Sequence, residues 1–419
     1  MKPLRNCATA VKLPGLYDGF MRCDYYEADL CNSCKDLHLA PSVQLAEKQD
    51  RVAQILSAHV PAAAWVAPQA SAEEGFRNKA KLAVGGSSQQ PTLGIMLPDG
   101  KVQDLLQCPL YDSEMRAYLA KLPALLAALK LPPYELNTRR GELKYVLVTQ
   151  SPKNRFMLRL VLRSKRLVPQ IRQLTPAILQ ALPGTEVFSL NFLPEHVALT
   201  EGPEELLLTE QKLLPMPLRL TFANSPDAEA ARDGAVGDVP QTSELVLYAR
   251  PGGFFQTNTQ VAQALYQQAA DWAADYANGQ GQALDLFCGV GGFALAMAAR
   301  FQRVFGVEIS ESAVLAARAS AQQAGLENVS FEAADAQSID LGAYDLVVVN
   351  PPRRGIGPEL CQWLSQARPA AFIYSSCNPQ SLAEDLGRIE GYRVLKARLF
   401  DMFPHTDHAE VLVLAVAQK

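Results

Sequence analysis

From residue 283 onward, short apolar runs alternate with stretches of helical periodicity, and that alternation leaves few folds open. The runs span 283–287, 304–307, 329–331, 346–349 and 372–374, and a helical pattern over 261–276 precedes them. A strand covered on both faces reads as an unbroken apolar run, and parallel neighbours need a crossover long enough to contain a helix. The pattern therefore predicts an α/β unit with an open, doubly wound parallel sheet. No internal repeat is present.

The first run leads into DLFCGVGGF, residues 285–293, and then into a helix. Glycines at such a turn let backbone approach a ligand with no Cβ in the way, and Gly289 stands at its tip. Glu308 ends the second run, 23 positions after Asp285, the spacing of an acid that binds a ribose. Both a dinucleotide and S-adenosylmethionine carry a ribose. Three details favour S-adenosylmethionine: the turn is G-x-G-G, Asp335 follows the third run where an acid could meet adenine, and Asn350-Pro351-Pro352 ends the fourth. Asn-Pro-Pro at that place is typical of enzymes that methylate planar nitrogen heterocycles.

After the fifth run comes Ser375-Ser376-Cys377-Asn378-Pro379, which puts a thiol at a strand's carboxyl end, where open α/β sheets hold ligands. A thiol there answers a chemical need. Uracil C5 is too electron-poor to attack a sulfonium methyl group, whereas a thiolate added at C6 gives C5 carbanion character. The methylated adduct still carries hydrogen on C5, so a base must remove it. Glu410, at the head of the last strand, is the candidate base. His405, His408 and Glu410 share a spacing that a metal triad could also use, but methyl transfer from a sulfonium needs no Lewis acid.

The rest of the chain reads differently. A helix is expected over 41–58 and alternating, strand-like segments over 79–84, 144–149 and 156–163, which suggests a mixed or antiparallel sheet. Residues 224–243 have linker composition, and residues 1–22 show no clear period and are set apart as an extension. The net charge is -4, but residues 139–172 hold ten basic side chains and one acidic one, Glu142. Such density can bind phosphate. Arg77, Lys79, Lys81, Arg139, Arg140, Lys144, Arg159 and Arg163 are the expected contacts, with Phe76 or Tyr145 as stacking platforms or, more simply, core residues.

Eight cysteines are many for a chain with no secretory pattern. Cys23, Cys31 and Cys34 lie within twelve residues, and Cys108 supplies a fourth thiolate, a set suited to a [4Fe-4S] cluster or zinc. Cys288 and Cys361 read as packing residues, and Cys7 has no assignment. No apolar run approaches the roughly 20 residues of a bilayer span. The expectation is a soluble, cytoplasmic protein with no membrane partner and no obligate protein partner.

Taken in order, FFQTN at 254–258, DLFCGVGGF, NPPRRGIG, SSCN and DMFPHTDHAE resemble the RNA 5-methyluridine methyltransferase family. GFRNKAK at 75–81, RGELKY at 140–145, the spacing of the early cysteines and the Asn350 form of the Pro-Pro motif are similar to the branch acting on a uracil of 23S ribosomal RNA. The resemblance implies a Rossmann-like class I methyltransferase domain over 251–419. A mixed α+β, iron–sulfur and RNA-recognition region over 23–250 would precede it. Donor contacts would come from Gln256, Phe287, Glu308 and Asn350, the nucleophile would be Cys377, the base Glu410, and Cys23, Cys31, Cys34 and Cys108 would hold a [4Fe-4S] cluster. The implied reaction is 5-methyluridine formation in 23S ribosomal RNA; the alternatives are a transfer-RNA uridine methyltransferase and a non-catalytic iron–sulfur RNA sensor.

Overall fold

A computed structural model of the chain describes residues 21–222, 241–277, 280–336, 339 and 344–418. The extension up to residue 20, Cys7 with it, and most of the linker at 224–243 lie outside the described residues.

Helices α1 (Asp24–Glu27) and α2 (Pro41–Ile55) come first. The next seven strands are β1 (Lys79–Gly86), β2 (Pro91–Met96), β3 (Val102–Asp104), β4 (Leu143–Gln150), β5 (Phe156–Leu162), β6 (Thr185–Phe192) and β7 (Glu204–Leu207). They form a mixed sheet in the order β3-β2-β1-β4-β5-β6-β7, with β5 and β6 parallel and the other neighbours antiparallel. Alternation explains its two faces. Leu82, Val146, Val148, Leu158, Leu160 and Leu190 enter one core with α3 (Ser113–Leu119), α4 (Leu122–Ala128) and α5 (Val168–Ala181). Lys79, Lys81 and Arg159 have the opposite parity and share the other face.

A two-stranded ribbon, β8 (Leu214–Phe222) with β9 (Gln241–Ala249), leads to α6 (Thr259–Ala273) and the second large sheet. That sheet contains β10 (Gln282–Leu286), β11 (Arg303–Glu308), β12 (Val329–Ala333), β13 (Leu346–Val349), β14 (Ala371–Ser376), β15 (Tyr392–Phe400) and β16 (Glu410–Ala417). The order is β12-β11-β10-β13-β14-β16-β15, parallel through β14, with β16 antiparallel to both neighbours. This is the doubly wound sheet expected from the apolar runs. Its faces are covered by α6, α7 (Gly292–Met297) and α8 (Glu311–Gln323) with the ribbon on one side, and by α2, α9 (Gly357–Ala367) and α10 (Pro379–Arg388) on the other. Alanines 294, 296, 316 and 317 let α7 and α8 lie close to the strands.

The early part of the chain is fastened to this sheet. Val52 of α2 and Leu56 just past its end are fully buried against it, each contributing about 2 kcal/mol of apolar burial. Lys48 Nζ donates to Asp401 Oδ1 at 2.6 Å and to the Phe403 carbonyl at 3.1 Å, and both charged side chains are buried. Beyond α2, Val66 and Gln69 donate backbone N–H groups to Ala397 and Leu399 along β15.

The expected iron–sulfur region is corrected here. Cys23, Cys34 and Cys108 do gather beside Met21, Leu37, Phe76 and Leu110. Yet among the described residues no group of three or more His, Cys, Asp or Glu side chains is placed to hold a metal ion, so neither a [4Fe-4S] cluster nor another metal-binding site is supported. Burial pushes the Cys34 thiol up to about 12 and the Cys108 thiol up to about 11, and the neighbouring cysteines add to the rise. Cys31 donates to Ser33 Oγ at 3.4 Å. The region is a mixed α+β unit in which Cys23, Cys34 and Cys108 pack in an apolar cluster.

Candidate active site

The carboxyl ends of β10 to β14 and the start of antiparallel β16 lie along one edge of the sheet, and the chemistry-bearing residues of the sequence fall there. Register explains it. Leu286, Val307 and Val349 are aligned partners, so Phe287, Glu308 and Asn350 each stand one step past that row. Asn350 donates its N–H to the Leu286 carbonyl at 3.3 Å.

The glycine turn is shaped for close approach. Phe287 has φ +60, a left-handed conformation that costs a non-glycine residue about 1 kcal/mol or more and tends to persist where function requires it. Gly291 and Gly292 admit no larger residue, since a Cβ there would come within 2.8 Å of Phe331 and 2.5 Å of Tyr266. Gly289 differs: a Cβ on it would meet nothing within 4 Å. Its N–H donates to Glu308 Oε2 at 3.2 Å, and Glu308 Oε1 accepts from the Ser310 N–H at 2.9 Å. Asp285 is fully buried beneath the turn, with Oδ2 accepting from Ala294 N–H at 2.9 Å and Oδ1 lacking a hydrogen-bond partner. A buried carboxyl oxygen of this kind is costly unless a ligand partners it. Open space, an orphaned buried oxygen and a ribose-spaced acid together fit a nucleoside-bearing donor.

Asp335 is exposed, two residues past β12. Gln256 is buried in the segment between the ribbon and α6, while Phe254 beside it is 75% exposed. Ile309, next to Glu308, is equally open at 76%.

Cys377 and Glu410 come together. Ser376 pairs with Val411 across β14 and β16, so the next step sets Cys377 opposite Glu410. Burial pushes the half-buried Cys377 thiol up, the Glu410 charge adds to the rise, and the Arg353 guanidinium opposes it. Glu410 is 4% exposed, and burial lifts its carboxyl from 4.5 to about 7 although Ser375 Oγ donates to it. A base poised near neutrality beside a half-buried thiol is the arrangement that nucleophilic addition followed by proton removal requires.

Arg353, Asn378 and Asp385 belong to this arrangement although sequence reasoning gave them no role. Asn378 Nδ2 donates to the Arg353 carbonyl at 2.9 Å, and the Arg353 guanidinium lies 3.4 Å from His408 Nδ1. Asp385 on α10 accepts from Ile356 N–H at 2.8 Å and Tyr374 O–H at 2.7 Å, which ties the NPPRRGIG turn to β14. Gly355 has φ +82, and a Cβ there would lie 2.2 Å from Asp385 Oδ2, so the second glycine-bearing motif is also a matter of close approach. The usable sequence signal was the pairing of SSCN with NPPRRGIG. His405 fixes a loop: its N–H donates to Gln44 Oε1 at 2.9 Å and its Nε2 donates to the Glu73 carbonyl at 2.8 Å.

Several expected phosphate contacts are otherwise engaged. Arg159 is buried between Glu201 and Glu205 at 2.5 and 2.6 Å, Lys81 meets Glu201 at 3.0 Å, and Arg163 meets Glu142 at 3.1 Å. Lys144 donates to the Glu195 carbonyl and lies over the Tyr134 ring. Phe76 is packed in the cysteine patch, and Tyr145 packs beside Leu147 and Val161.

Asp285 and Glu410 make stability depend on pH. Both hold protons to higher pH in the fold, about 8 and about 7, than in the unfolded chain. Their contribution is therefore complete below about pH 4 and is lost as pH rises through 7 to 8. Glu410→Gln should raise the melting temperature over wild type at pH 8.5, by a stabilisation on the order of 3 kcal/mol, and make little difference at pH 5. Thermal melts at the two pH values test this, and equal differences at both would remove the buried carboxylate as the cause.

A family model described as tRNA (Uracil-5-)-methyltransferase matches residues 241–418. The 23S rRNA (uracil(747)-C(5))-methyltransferase RlmC of Shewanella amazonensis is 42% identical over 404 residues, covering 95% of this chain and 98% of that protein. Its counterpart in Cronobacter sakazakii is 44% identical over 402 residues, covering 95% and 100%. Among solved structures, the Pyrococcus abyssi tRNA (uracil-54, C5)-methyltransferase in complex with S-adenosyl-L-homocysteine superposes with a TM-score of 0.71 over 91% of this chain and 85% of that one. At 22% identity that likeness speaks for the shared fold. Relatives so similar over nearly the whole length show that the chain belongs to the RNA 5-methyluridine methyltransferase family.

Proposed function

We propose that this chain methylates C5 of a uracil in 23S ribosomal RNA, at the position its relatives' names give as 747, with S-adenosylmethionine as donor. The observation that carries the reading is the opposition of Cys377 and Glu410 across β14 and β16, at the edge that also holds the glycine turn. A ribosomal RNA substrate supports reading the enzyme as cytoplasmic. Among the described residues no helix is long and apolar enough to cross a membrane.

The donor fits residues of the edge. Glu308 would hold the ribose hydroxyls, Gly289 would lie under the donor, and exposed Ile309 offers apolar surface to a purine ring. Asn350, Phe287 and Gln256 would complete the set, and Asp335 would meet the adenine. When bound, S-adenosylmethionine supplies an electrophilic methyl group. Everything else is work for the protein. The target base must leave its stack to reach a strand end, and exposed Phe254 offers a surface for a splayed neighbour. The Cys377 thiolate adds to C6 of the uracil, and the ring's electrons move to C5, which takes the methyl group as the sulfonium S–CH3 bond breaks and S-adenosylhomocysteine is left. Glu410 then removes the C5 proton, the C5–C6 double bond re-forms, and the C6–S bond breaks to release Cys377.

Arg353 would favour the thiolate. Arg353→Met is expected to slow iodoacetamide alkylation of Cys377 about fivefold at pH 7.5 and to move its pH profile upward. The readout is peptide mass spectrometry on the Cys377 site, and an unmoved profile would deny Arg353 this role. The function itself is tested by mapping 5-methyluridine by mass spectrometry in ribosomal and transfer RNA from cells lacking the gene. Loss of one methyl group from 23S RNA is expected, whereas a loss confined to transfer RNA would reject the substrate.

A further inference from the structure

The GFRNKAK motif was read for its charges, but the residue between Arg77 and Lys79 is the one the fold uses most fully. Asn78 is 8% exposed. Its Nδ2 donates to the Gln256 carbonyl at 3.0 Å and to Thr259 Oγ1 at 2.8 Å. Its backbone N–H donates to the Thr257 carbonyl at 2.9 Å, and its carbonyl accepts from Gln150 N–H at 2.8 Å. One residue later Asn258 caps α6, with Oδ1 accepting from Val261 N–H at 3.2 Å and Nδ2 donating to Ser71 Oγ at 2.7 Å. The FFQTN segment lies outside regular secondary structure, so its backbone partners must come from elsewhere. Arg77 bridges to Asn258, and Asn78 and Ser71, both from the N-terminal half, provide further partners.

We propose that Asn78 is a positioning residue for the donor subsite, holding the Gln256–Thr259 segment so that Gln256 meets S-adenosylmethionine. This rests on the reading of Gln256 as a donor contact. The amide is suited to the task because both of its hydrogens are used, one on a carbonyl and one on a hydroxyl. An aspartate of the same shape would turn an acceptor toward the Gln256 carbonyl. The arrangement also makes the donor subsite depend on a residue at the mouth of β1, flanked by the cations Arg77 and Lys79 of the region expected to meet RNA.

Four variants of the full chain, Asn78→Ala, Asn78→Ser, Gln256→Ala and the double variant Asn78→Ala/Gln256→Ala, test the inference by calorimetric titration with S-adenosylhomocysteine and by gel shift with a 23S RNA fragment in the absence of donor. Asn78→Ala should weaken donor-product binding about tenfold, with RNA affinity within about twofold of wild type. Asn78→Ser, whose hydroxyl can keep one contact, should lose about threefold and serves if the alanine variant does not fold. The effects of Asn78→Ala and Gln256→Ala should be strongly non-additive, since both act through one side chain. Weakened binding in Gln256→Ala with none in either Asn78 variant would overturn the proposal and leave the donor reading standing. Normal binding in Gln256→Ala would overturn the donor reading itself. Additive effects, or equal losses of donor and RNA affinity, would reduce Asn78 to a general structural role and also overturn the proposal.

Discussion

Replacing Cys377 with alanine is expected to lower the single-turnover rate of uracil methylation by about 10⁴-fold or more, with RNA and donor affinities within about threefold of wild type. The size follows from the chemistry. Without a sulfur on C6, C5 has no electron pair to offer, and the remaining groups at the edge can orient the reactants but cannot polarise the ring. The control is Cys288, a second thiol at the same edge. It is buried, its thiol is pushed well above 9, and its Sγ would lie 3.1 Å from a Cβ on Gly306. Cys288→Ala should therefore keep most of the activity. A transcript carrying 5-fluorouracil at the target sharpens the test, because fluorine cannot leave as a proton and the adduct is trapped. Wild type and Cys288→Ala should give a denaturant-resistant protein–RNA band and Cys377→Ala none. Methylation at wild-type rate by Cys377→Ala would end the mechanism.

How far the sequence could be read depended on whether the information was local. The second sheet was legible because each buried parallel strand is its own apolar run, as in Leu346–Val349, and because the motifs sit at strand ends, where the chain direction is already fixed. The pairing of Cys377 with Glu410 was legible through the chemistry that needs both. The charge of residues 139–172 is the opposite case, because part of it is balanced in space. Arg155, Arg159, Lys165 and Lys153 meet Glu186, Glu201 with Glu205, Glu204 and Glu244, acids supplied from outside that window. A count along the chain cannot see partners brought in by β6, β7 and β9. The four cysteines show the same limit. Their spacing admits a cluster, but ligation is a matter of directions in space: Cys23, Cys34 and Cys108 lie among Met21, Leu37 and Phe76, and among the described residues no group is placed to hold a metal ion. Asn78 passed unnoticed because its acceptors lie about 180 residues away.

Glu410→Gln should separate methyl transfer from turnover. The amide keeps the shape of the carboxyl and can hydrogen-bond Ser375, but it cannot take a proton from C5. A single burst of methyl transfer should survive, while multiple turnover falls by about 10³-fold and a methylated protein–RNA adduct accumulates on ordinary, unfluorinated RNA. Loss of the burst together with turnover would mean that Glu410 acts before the methyl group moves, and absence of adduct would pass the proton to another base. The pH dependence follows from the carboxyl near 7. In wild type the proton-removal step should fall about tenfold per unit below that value, because the protonated acid has no site left for the C5 hydrogen. The adduct should then appear transiently in acid even without a substitution. In Glu410→Gln that dependence should vanish from the elimination step. Ser375 supplies a second handle on the same group, since its hydroxyl donates to Oε1 and favours the charged form. Ser375→Ala should therefore move the acid limb to higher pH, opposite to the shift expected if Ser375 only filled space. With Glu410 as the base, the cost in stability above neutrality has a chemical return, since a carboxyl as acidic as one in water would be too weak a base to remove a proton from carbon.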